Sequence, residues 1–182
     1  AAKMLLSIDP EGSAMDMPAG PSEVLVIADK YARADFVASD LLSQAEHGID
    51  SQAILVCTDK NKADEILKET TRQLKALPRR EIAEAALRNS FALVVDNISE
   101  AFAFSNQYAP EHLILNIKDT DEYLDQIENA GSVFIGPYSC ESAGDYASGT
   151  NHTLPTYGYA RSYSGVSVDS FIKKITFQKL NK

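Results

Sequence analysis

The sequence is poor in cysteine: only Cys57 and Cys140 occur among its 182 residues, far apart and without CxxC spacing. Such usage is typical of a reducing compartment, so a cytoplasmic location is expected. No apolar segment approaches the roughly 20 residues that a membrane helix needs. No signal-peptide pattern opens the chain either. The sequence therefore predicts neither a membrane-spanning nor a secreted protein.

A basic surplus is also lacking. The formal net charge is −9 at pH 7, and no run of Lys or Arg forms a basic stripe. This argues against nucleic acid or an anionic membrane surface as a partner. Hydrophobic residues make up 45% of the chain, which is an ordinary globular composition. The length suits one domain, or two closely joined ones, with a real core.

Five short, continuously apolar runs predict buried β-strands. They are EVLVIAD (23–29), QAILVCT (52–58), SFALVVD (90–96), HLILNI (112–117) and SVFIG (132–136). Helical patterns alternate with them at 34–48, 60–76, 80–89, 98–109 and 120–131, with Gly48 and Gly131 placed like residues that close a helix. This alternation predicts an α/β fold: a mostly parallel, Rossmann-like sheet with helices on both faces, an incomplete dinucleotide-binding-type fold.

The character of the chain changes at Tyr138. Residues 138–182 are rich in Gly, Ser, Thr and Tyr and show little helical or strand periodicity. A long segment without elements of its own is usually functional or disordered, and its many tyrosines favour an ordered, site-forming loop. We therefore divide the chain into a connecting segment (1–22), a Rossmann-like domain (23–137) and a Gly/Tyr-rich site loop with a return segment (138–182).

An acid and an imidazole stand side by side in NQYAPEHLIL, where Glu111 and His112 follow Pro110 and lead into the fourth strand. Ligands of a parallel sheet gather at the carboxyl ends of its strands, so this pair belongs to the opposite edge or to a crossover. Glu111 could simply cap or pair locally while His112 starts the strand at the surface. A carboxylate beside a histidine is also the simplest equipment for moving protons at neutral pH.

Three further stretches carry candidate site residues. In SQAEHG, Gln44 and His47 share one helix face. They could be metal ligands, or the His could simply lie at the negative end of a helix dipole.

In ESAGDYASGTNH, Asp145 stands in a polar loop, where it could be a turn residue or a ligand. A phosphate-binding loop is rejected there because Thr150 occupies the Lys position. In DMPAGPSEVLV, a rigid turn leaves Ser22 exposed before the first strand. His, Asp and a neutral oxygen donor would suit zinc.

Taken together, the four stretches resemble the histidinol dehydrogenase family. MPAGPSEVLVIAD, ASDLLSQAEHG, SNQYAPEHLI and SAGDYASGTNHTLPTYGYAR match its signatures in order and spacing. The resemblance implies oxidation of L-histidinol to L-histidine in two NAD-dependent steps through the aldehyde, the last steps of histidine biosynthesis.

The resemblance also implies roles for individual residues. Gln44, His47 and Asp145 would bind zinc and, with Ser22 and His112, the substrate. His112 would be the general base, and Glu111 would activate the water that adds to the aldehyde. Zinc would orient the substrate's imidazole and amine more than perform chemistry.

The sequence departs from the family in extent, because it covers less than half of a family member. The parts outside it would help to bind NAD and, across a homodimer, would supply a further zinc ligand and an acidic residue. NAD-binding residues in this chain are therefore not assigned. His152 could replace the missing zinc ligand, but we expect it to be a loop residue instead. The chain's ends fit natural termini or a piece of a longer protein. We expect the chain alone to bind zinc weakly and not to oxidise histidinol. The alternative is a non-catalytic α/β ligand-binding or assembly module that keeps only the fold.

Overall fold

A computed structural model describes residues 2–12 and 14–181, within which the chain forms six α-helices and five β-strands. The strands are β1 (Glu23–Ala28), β2 (Gln52–Cys57), β3 (Phe91–Val94), β4 (His112–Asn116) and β5 (Ser132–Ile135). The helices are α1 (Ala2–Ser7), α2 (Ala34–Ala45), α3 (Lys60–Leu74), α4 (Arg80–Leu87), α5 (Ile98–Tyr108) and α6 (Glu141–Tyr146). Short 3₁₀ segments cover Thr120–Gln126, Tyr159–Arg161 and Val168–Phe171.

The five strands form one parallel sheet in the order β3-β2-β1-β4-β5. β1 and β4 are neighbours at its centre, with Val24 beside His112, and every residue of both strands is buried. Burial on both faces explains why these strands read as continuous apolar runs without alternation. The predicted α/β fold with a parallel sheet is confirmed.

Helices cover both faces of the sheet, as predicted. Because side chains alternate along a strand, Val26 of β1 points to the face covered by α2 and α3, with Val37 and Ile66 in the same apolar cluster. Leu25 points to the other face, where α5 contributes Phe102. No helix in the described part of the chain is both long and apolar enough to cross a membrane.

The connection between α5 and β4 delivers Glu111 and His112 to the sheet. Asn97 is the N-cap of α5, and its side-chain oxygen accepts a hydrogen bond from the backbone N–H of Glu100. Ala109 is the C-cap of α5 and adopts a left-handed conformation (φ 57°) immediately before Pro110. Proline cannot continue a helix, so the chain turns there and enters β4 at His112.

Three predictions about individual elements were wrong. Residues 120–131 form a 3₁₀ segment that ends at Gln126, so Gly131 closes no helix. Gly131 instead lies against the backbone of Glu111, where a Cβ would stand 2.6 Å from the Glu111 carbonyl oxygen. α2 ends at Ala45 with Glu46 as its C-cap, which leaves Gly48 beyond the helix end. The 138–182 segment contains α6, although its Gly- and Ser-rich sequence predicts no element there.

Candidate metal and catalytic site

The candidate site lies at the amino edge of the sheet. His112 is the first residue of β4 and stands beside Val24 near the start of β1. α2 follows the carboxyl end of β1 and leads back toward the start of β2, so Gln44 in its last turn and His47 just beyond it come to the amino edge. The sequence left two positions open for Glu111 and His112, the edge opposite the usual ligand-binding one or a crossover, and the structure has them at the opposite edge.

One imidazole and two carboxylates form a group that could hold a metal ion. Ligand atoms of His47, Glu141 and Asp145 all lie within 4.8 Å of one another. His47 Nε2 lies 3.4 Å from Glu141 Oε1. Glu141 and Asp145 are four residues apart on α6, so they share one face of that helix. Histidine and carboxylate ligands together suit zinc.

Gln44 lies one turn before His47 at the end of α2. Its side chain is completely buried, and neither its Oε1 nor its Nε2 has a hydrogen-bond partner among residues 2–12 and 14–181. Buried polar atoms without partners are rare and need an explanation. One such explanation is that the amide oxygen of Gln44 binds a metal ion or a substrate, which agrees with the ligand role that the family resemblance implies.

Glu141 is the residue of this group that sequence reasoning missed. Its side chain is only 2% exposed, and its Oε2 has no partner. The available signal was its spacing of four from Asp145, which places two acids on one helix face. The small polar residues of ESAGDY predict a loop, in which a spacing of four carries no meaning.

The acids of the group shift the titration of their neighbours. The pKa of His47 is raised, chiefly by its hydrogen bond to Glu141, with further contributions from the charges of Asp145 and Glu111. Asp40, one turn before Gln44 on α2, is buried, and desolvation together with Glu141 raises its pKa to about 7. The site therefore gathers several acids, and a bound cation would favour their ionised forms.

Glu111 and His112 are both buried, so His112 does not start its strand at the surface. His112 Nδ1 lies 3.0 Å from the carbonyl oxygen of Glu23, which can only accept a hydrogen bond. Nδ1 therefore carries the proton, and the lone pair of the neutral ring is on Nε2. Nε2 is buried and has no hydrogen-bond partner in the part of the chain that the structure describes. The ring also packs near Phe134, with ring centroids 5.9 Å apart.

The Glu111 carboxyl group accepts a hydrogen bond from the Glu23 backbone N–H at 2.8 Å. Burial, with smaller contributions from the charges of Glu141 and Glu23, raises its pKa to about 8. The charge of His47 acts in the opposite direction. The two halves of the site are therefore close enough for each to influence the other's protonation.

The remaining predicted residues fall on either side of this cluster. Ser22 is half-buried, not exposed as expected, and lines with His47 a cavity of about 370 Å³ in front of β1. His152 is exposed and does not belong to the group formed by His47, Glu141 and Asp145. Ser22 thus stands near the candidate ligands, whereas His152 stays a loop residue in the described chain.

A parallel sheet whose amino edge gathers an imidazole, an amide and several buried acids defines an α/β protein with a candidate metal site beside an acid–imidazole pair. The chain belongs to the histidinol dehydrogenase family, whose model matches residues 1–182.

Known histidinol dehydrogenases align with this chain over most of its length. Histidinol dehydrogenase of Bacteroides fragilis (strain YCH46) is 61% identical over 180 residues, which are 99% of this chain and 42% of that protein. The chloroplastic histidinol dehydrogenase of Arabidopsis thaliana is 58% identical over 183 residues, covering 100% of this chain and 39% of that protein. A crystal structure of histidinol dehydrogenase from Elizabethkingia anophelis superposes with a TM-score of 0.91 at 66% identity, over 93% of this chain and 39% of that one. The chain thus spans about two fifths of these relatives.

Proposed function

We propose that this chain is the part of a histidinol dehydrogenase that binds zinc and carries the proton-transfer residues. The complete enzyme would oxidise L-histidinol to L-histidine in two NAD-dependent steps through the aldehyde. The observation that carries this proposal is the buried, unpartnered Nε2 of His112 at the edge where the candidate ligands converge. Family membership supports the substrate, since the relatives are histidinol dehydrogenases.

His112 is proposed as the general base. With its proton held on Nδ1 by the Glu23 carbonyl, the ring presents a lone pair on Nε2 in a site that excludes water. That atom would accept the hydroxyl proton of the alcohol, and later that of the aldehyde hydrate. NAD, bound largely by segments outside this chain, would accept the hydride in each step.

Glu111 is proposed to activate the water that adds to the aldehyde. A pKa of about 8 lies close to neutral pH, and a general base works best when its pKa is near the working pH. Its hydrogen bond from Glu23 fixes one carboxyl oxygen. The other oxygen would take the proton from water.

Gln44, His47 and Asp145 are proposed as zinc ligands, with Glu141 beside them. The donor set fits, because Gln44 offers an amide oxygen without a partner and His47 stands within 4.8 Å of both acids of α6. Zinc would hold the substrate's imidazole and amine in place. Ser22, on the shared cavity with His47, would contact the same substrate.

We further propose that the complete enzyme is a homodimer, as the family resemblance implies, and that the chain alone does not turn over. A cytoplasmic location stays a prediction from cysteine usage, and one plant relative is named chloroplastic.

The direct test uses a chimera in which residues 1–182 replace the matched segment of the Bacteroides fragilis enzyme, 61% identical over 180 residues. The chimera should produce NADH from L-histidinol. His112→Asn should lower kcat at least about 100-fold, because general acid–base catalysis contributes that much, while zinc content stays unchanged. A matched His152→Asn variant should keep its activity. Equal loss in both variants, or none in His112→Asn, would refute the assigned role.

A further inference from the structure

Glu23 is a buried acid for which neither the sequence patterns nor the family resemblance assigns a role. It is the first residue of β1, and only 5% of the whole residue's surface is exposed. Its backbone N–H donates to Glu111 Oε2 at 2.8 Å, and its carbonyl oxygen accepts from His112 Nδ1 at 3.0 Å. One residue therefore contacts both members of the acid–imidazole pair through its main chain.

The side chain of Glu23 reaches in another direction. Its Oε1 accepts a hydrogen bond from the backbone N–H of Tyr157 at 2.8 Å, and its Oε2 is buried with no hydrogen-bond partner among the described residues. Tyr157 and Gly158 have φ angles of 56° and 73°. A tyrosine rarely adopts this left-handed conformation. The turn at residues 156–159, closed by a hydrogen bond from the Tyr159 N–H to the Thr156 carbonyl oxygen and here called the Tyr157 turn, therefore needs contacts that hold it.

The segment before β1 provides a second contact with the Tyr157 turn. The Gly20 backbone N–H donates to Thr156 Oγ1 at 2.6 Å, and a Cβ at Gly20 would stand 2.2 Å from the Tyr157 ring. The Tyr157 turn is therefore packed directly against the residues that lead into β1. The turn thus contacts both Gly20 and the side chain of Glu23.

We propose that Glu23 is a positioning residue whose carboxyl group joins the Tyr157 turn to the start of β1, and so fixes the backbone that orients Glu111 and His112. The structural half of this inference concerns His112 orientation alone. Only its catalytic half rests on the proposed function.

The contact that matters here is a hydrogen bond in which the Glu23 Oε1 accepts from the Tyr157 N–H. Burial raises the pKa of Glu23, partly offset by that N–H. A glutamine has the same shape and keeps the acceptor oxygen. Leucine has a similar volume but would leave the Tyr157 N–H unsatisfied. Glu23→Gln and Glu23→Leu therefore separate the acceptor from the packing.

The first experiment observes the histidine rings directly in the 182-residue chain. Long-range ¹⁵N–¹H spectra distinguish the Nδ1–H from the Nε2–H tautomer, and substitution of His47 and His152 assigns the signals of the three histidines. Wild type and Glu23→Gln should show His112 as the Nδ1–H tautomer. Glu23→Leu should shift its ring nitrogens toward a mixture of both tautomers. Unchanged His112 signals in a folded Glu23→Leu chain would overturn the proposal.

Two further variants guard against a purely structural effect. Leu25→Ala truncates a buried side chain two residues along β1, on the face away from α2; it should lower stability without altering the His112 tautomer. Thr156→Val removes the bond to Gly20 without touching Glu23, so it should shift His112 in the same direction as Glu23→Leu. If Glu23→Leu does not fold, Thr156→Val becomes the test. Signals of the His112 ring nitrogens that stay at their wild-type positions in Thr156→Val would then contradict the proposal.

The second experiment measures kinetics in the chimera. Glu23→Leu should lower kcat about 100-fold, since misplacement of a reacting group by about 1 Å has effects of that size, while KM for histidinol changes little. Glu23→Gln should restore kcat. A normal kcat in Glu23→Leu would overturn the catalytic half. An altered His112 tautomer together with full activity of His112→Asn would instead reject the proposed function and leave the positioning intact.

Discussion

Gln44 has no exposed surface, and neither its Oε1 nor its Nε2 has a partner. The same lack of partners applies to His112 Nε2 and Glu141 Oε2, which are buried at the same edge of the sheet. Burying a polar atom without a hydrogen bond costs about 1–3 kcal/mol. A fold that needed these residues only for packing would be more stable with apolar ones. We infer that they are kept for a ligand.

The raised pKa values of two buried acids predict an unusual pH dependence of stability. The pKa of Glu111 rises from an ordinary 4.5 to about 8, and that of Asp40 from 3.8 to about 7. Between these limits the folded chain holds protons that the unfolded chain has lost. The free energy of unfolding should therefore fall as pH rises from about 5 to 7, by about 1.4 kcal/mol per pH unit for each group.

Urea denaturation of the chain in the presence of EDTA, at several pH values, measures this slope. Glu111→Gln removes one of the groups whose pKa is raised and should make the slope shallower, leaving most of the stability at pH 5. Glu128→Gln, in an exposed position, is the matched control and should keep the wild-type slope. A free energy of unfolding that rises from pH 5 to 7 in the wild-type chain would contradict the burial of Glu111 and Asp40.

Zinc binding should depend on His47 and not on His152. His47→Ala removes the imidazole from the group within 4.8 Å, so zinc affinity of the chain should fall by at least about tenfold, as for loss of a ligand-orienting group. Isothermal titration calorimetry measures the affinity. His152→Ala, which changes an exposed loop residue, should bind like wild type. Equal weakening in both variants would argue against the assigned ligand set.

At the scale of elements, Gly131 lets the chain that leads into β5 lie close to the chain that leads into β4. Its N–H donates to the Pro110 carbonyl oxygen, and the next N–H, of Ser132, donates to that of Glu111. A Cβ at Gly131 would stand 2.6 Å from the Glu111 oxygen. Gly131→Ala should therefore destabilise the chain by about 1–3 kcal/mol, because a backbone atom must move to make room.

Chemical denaturation of Gly131→Ala beside Gly48→Ala tests this prediction. A Cβ at Gly48 meets only Ser51 Oγ, at 3.8 Å, which is an ordinary contact. Gly48→Ala should thus change stability by less than about 0.5 kcal/mol, as surface substitutions usually do. A Gly131→Ala chain as stable as Gly48→Ala would show that β5 has room to shift.

The strands were predictable from sequence because burial on both faces makes them continuously apolar. EVLVIAD and HLILNI became β1 and β4 with ends that differ by one residue each. The 120–131 segment was not predictable in this way. Its acidic, leucine-containing pattern favours a helix, whereas the structure has a 3₁₀ segment that starts after Asp119 in a left-handed conformation. Tertiary packing of Tyr123 and Leu124 on the sheet overrides the local preference.

The site was predictable only in part, because its members come from separate elements. The sequence indicated Gln44, His47, Glu111, His112 and Asp145 through their resemblance to a family. Glu141 and Glu23 were missed. A lone Glu at a helix start or a strand start is an ordinary surface residue in most proteins, and only the fold shows that these two are buried.

At the scale of the whole molecule, the chain spans about two fifths of its relatives, 42% of the Bacteroides fragilis protein and 39% of the Arabidopsis thaliana protein. We therefore expect the 182-residue chain alone to yield no NADH from histidinol, with or without added zinc, while the chimera turns over. Absorbance at the NADH band measures both. Turnover by the isolated chain would show that it needs no further segment for catalysis.

The position of a bound zinc ion tests the central claim most directly, namely that side chains from α2 and α6 form one site beside the acid–imidazole pair. Crystals of the chain grown with zinc and recorded at the zinc absorption edge would locate the ion. We predict zinc at about 2.0–2.2 Å from a ring nitrogen of His47 and a carboxyl oxygen of Asp145, with His112 Nε2 facing the same cavity but not bound to the metal. Zinc bound elsewhere, with His47 and Asp145 turned apart, would contradict the account.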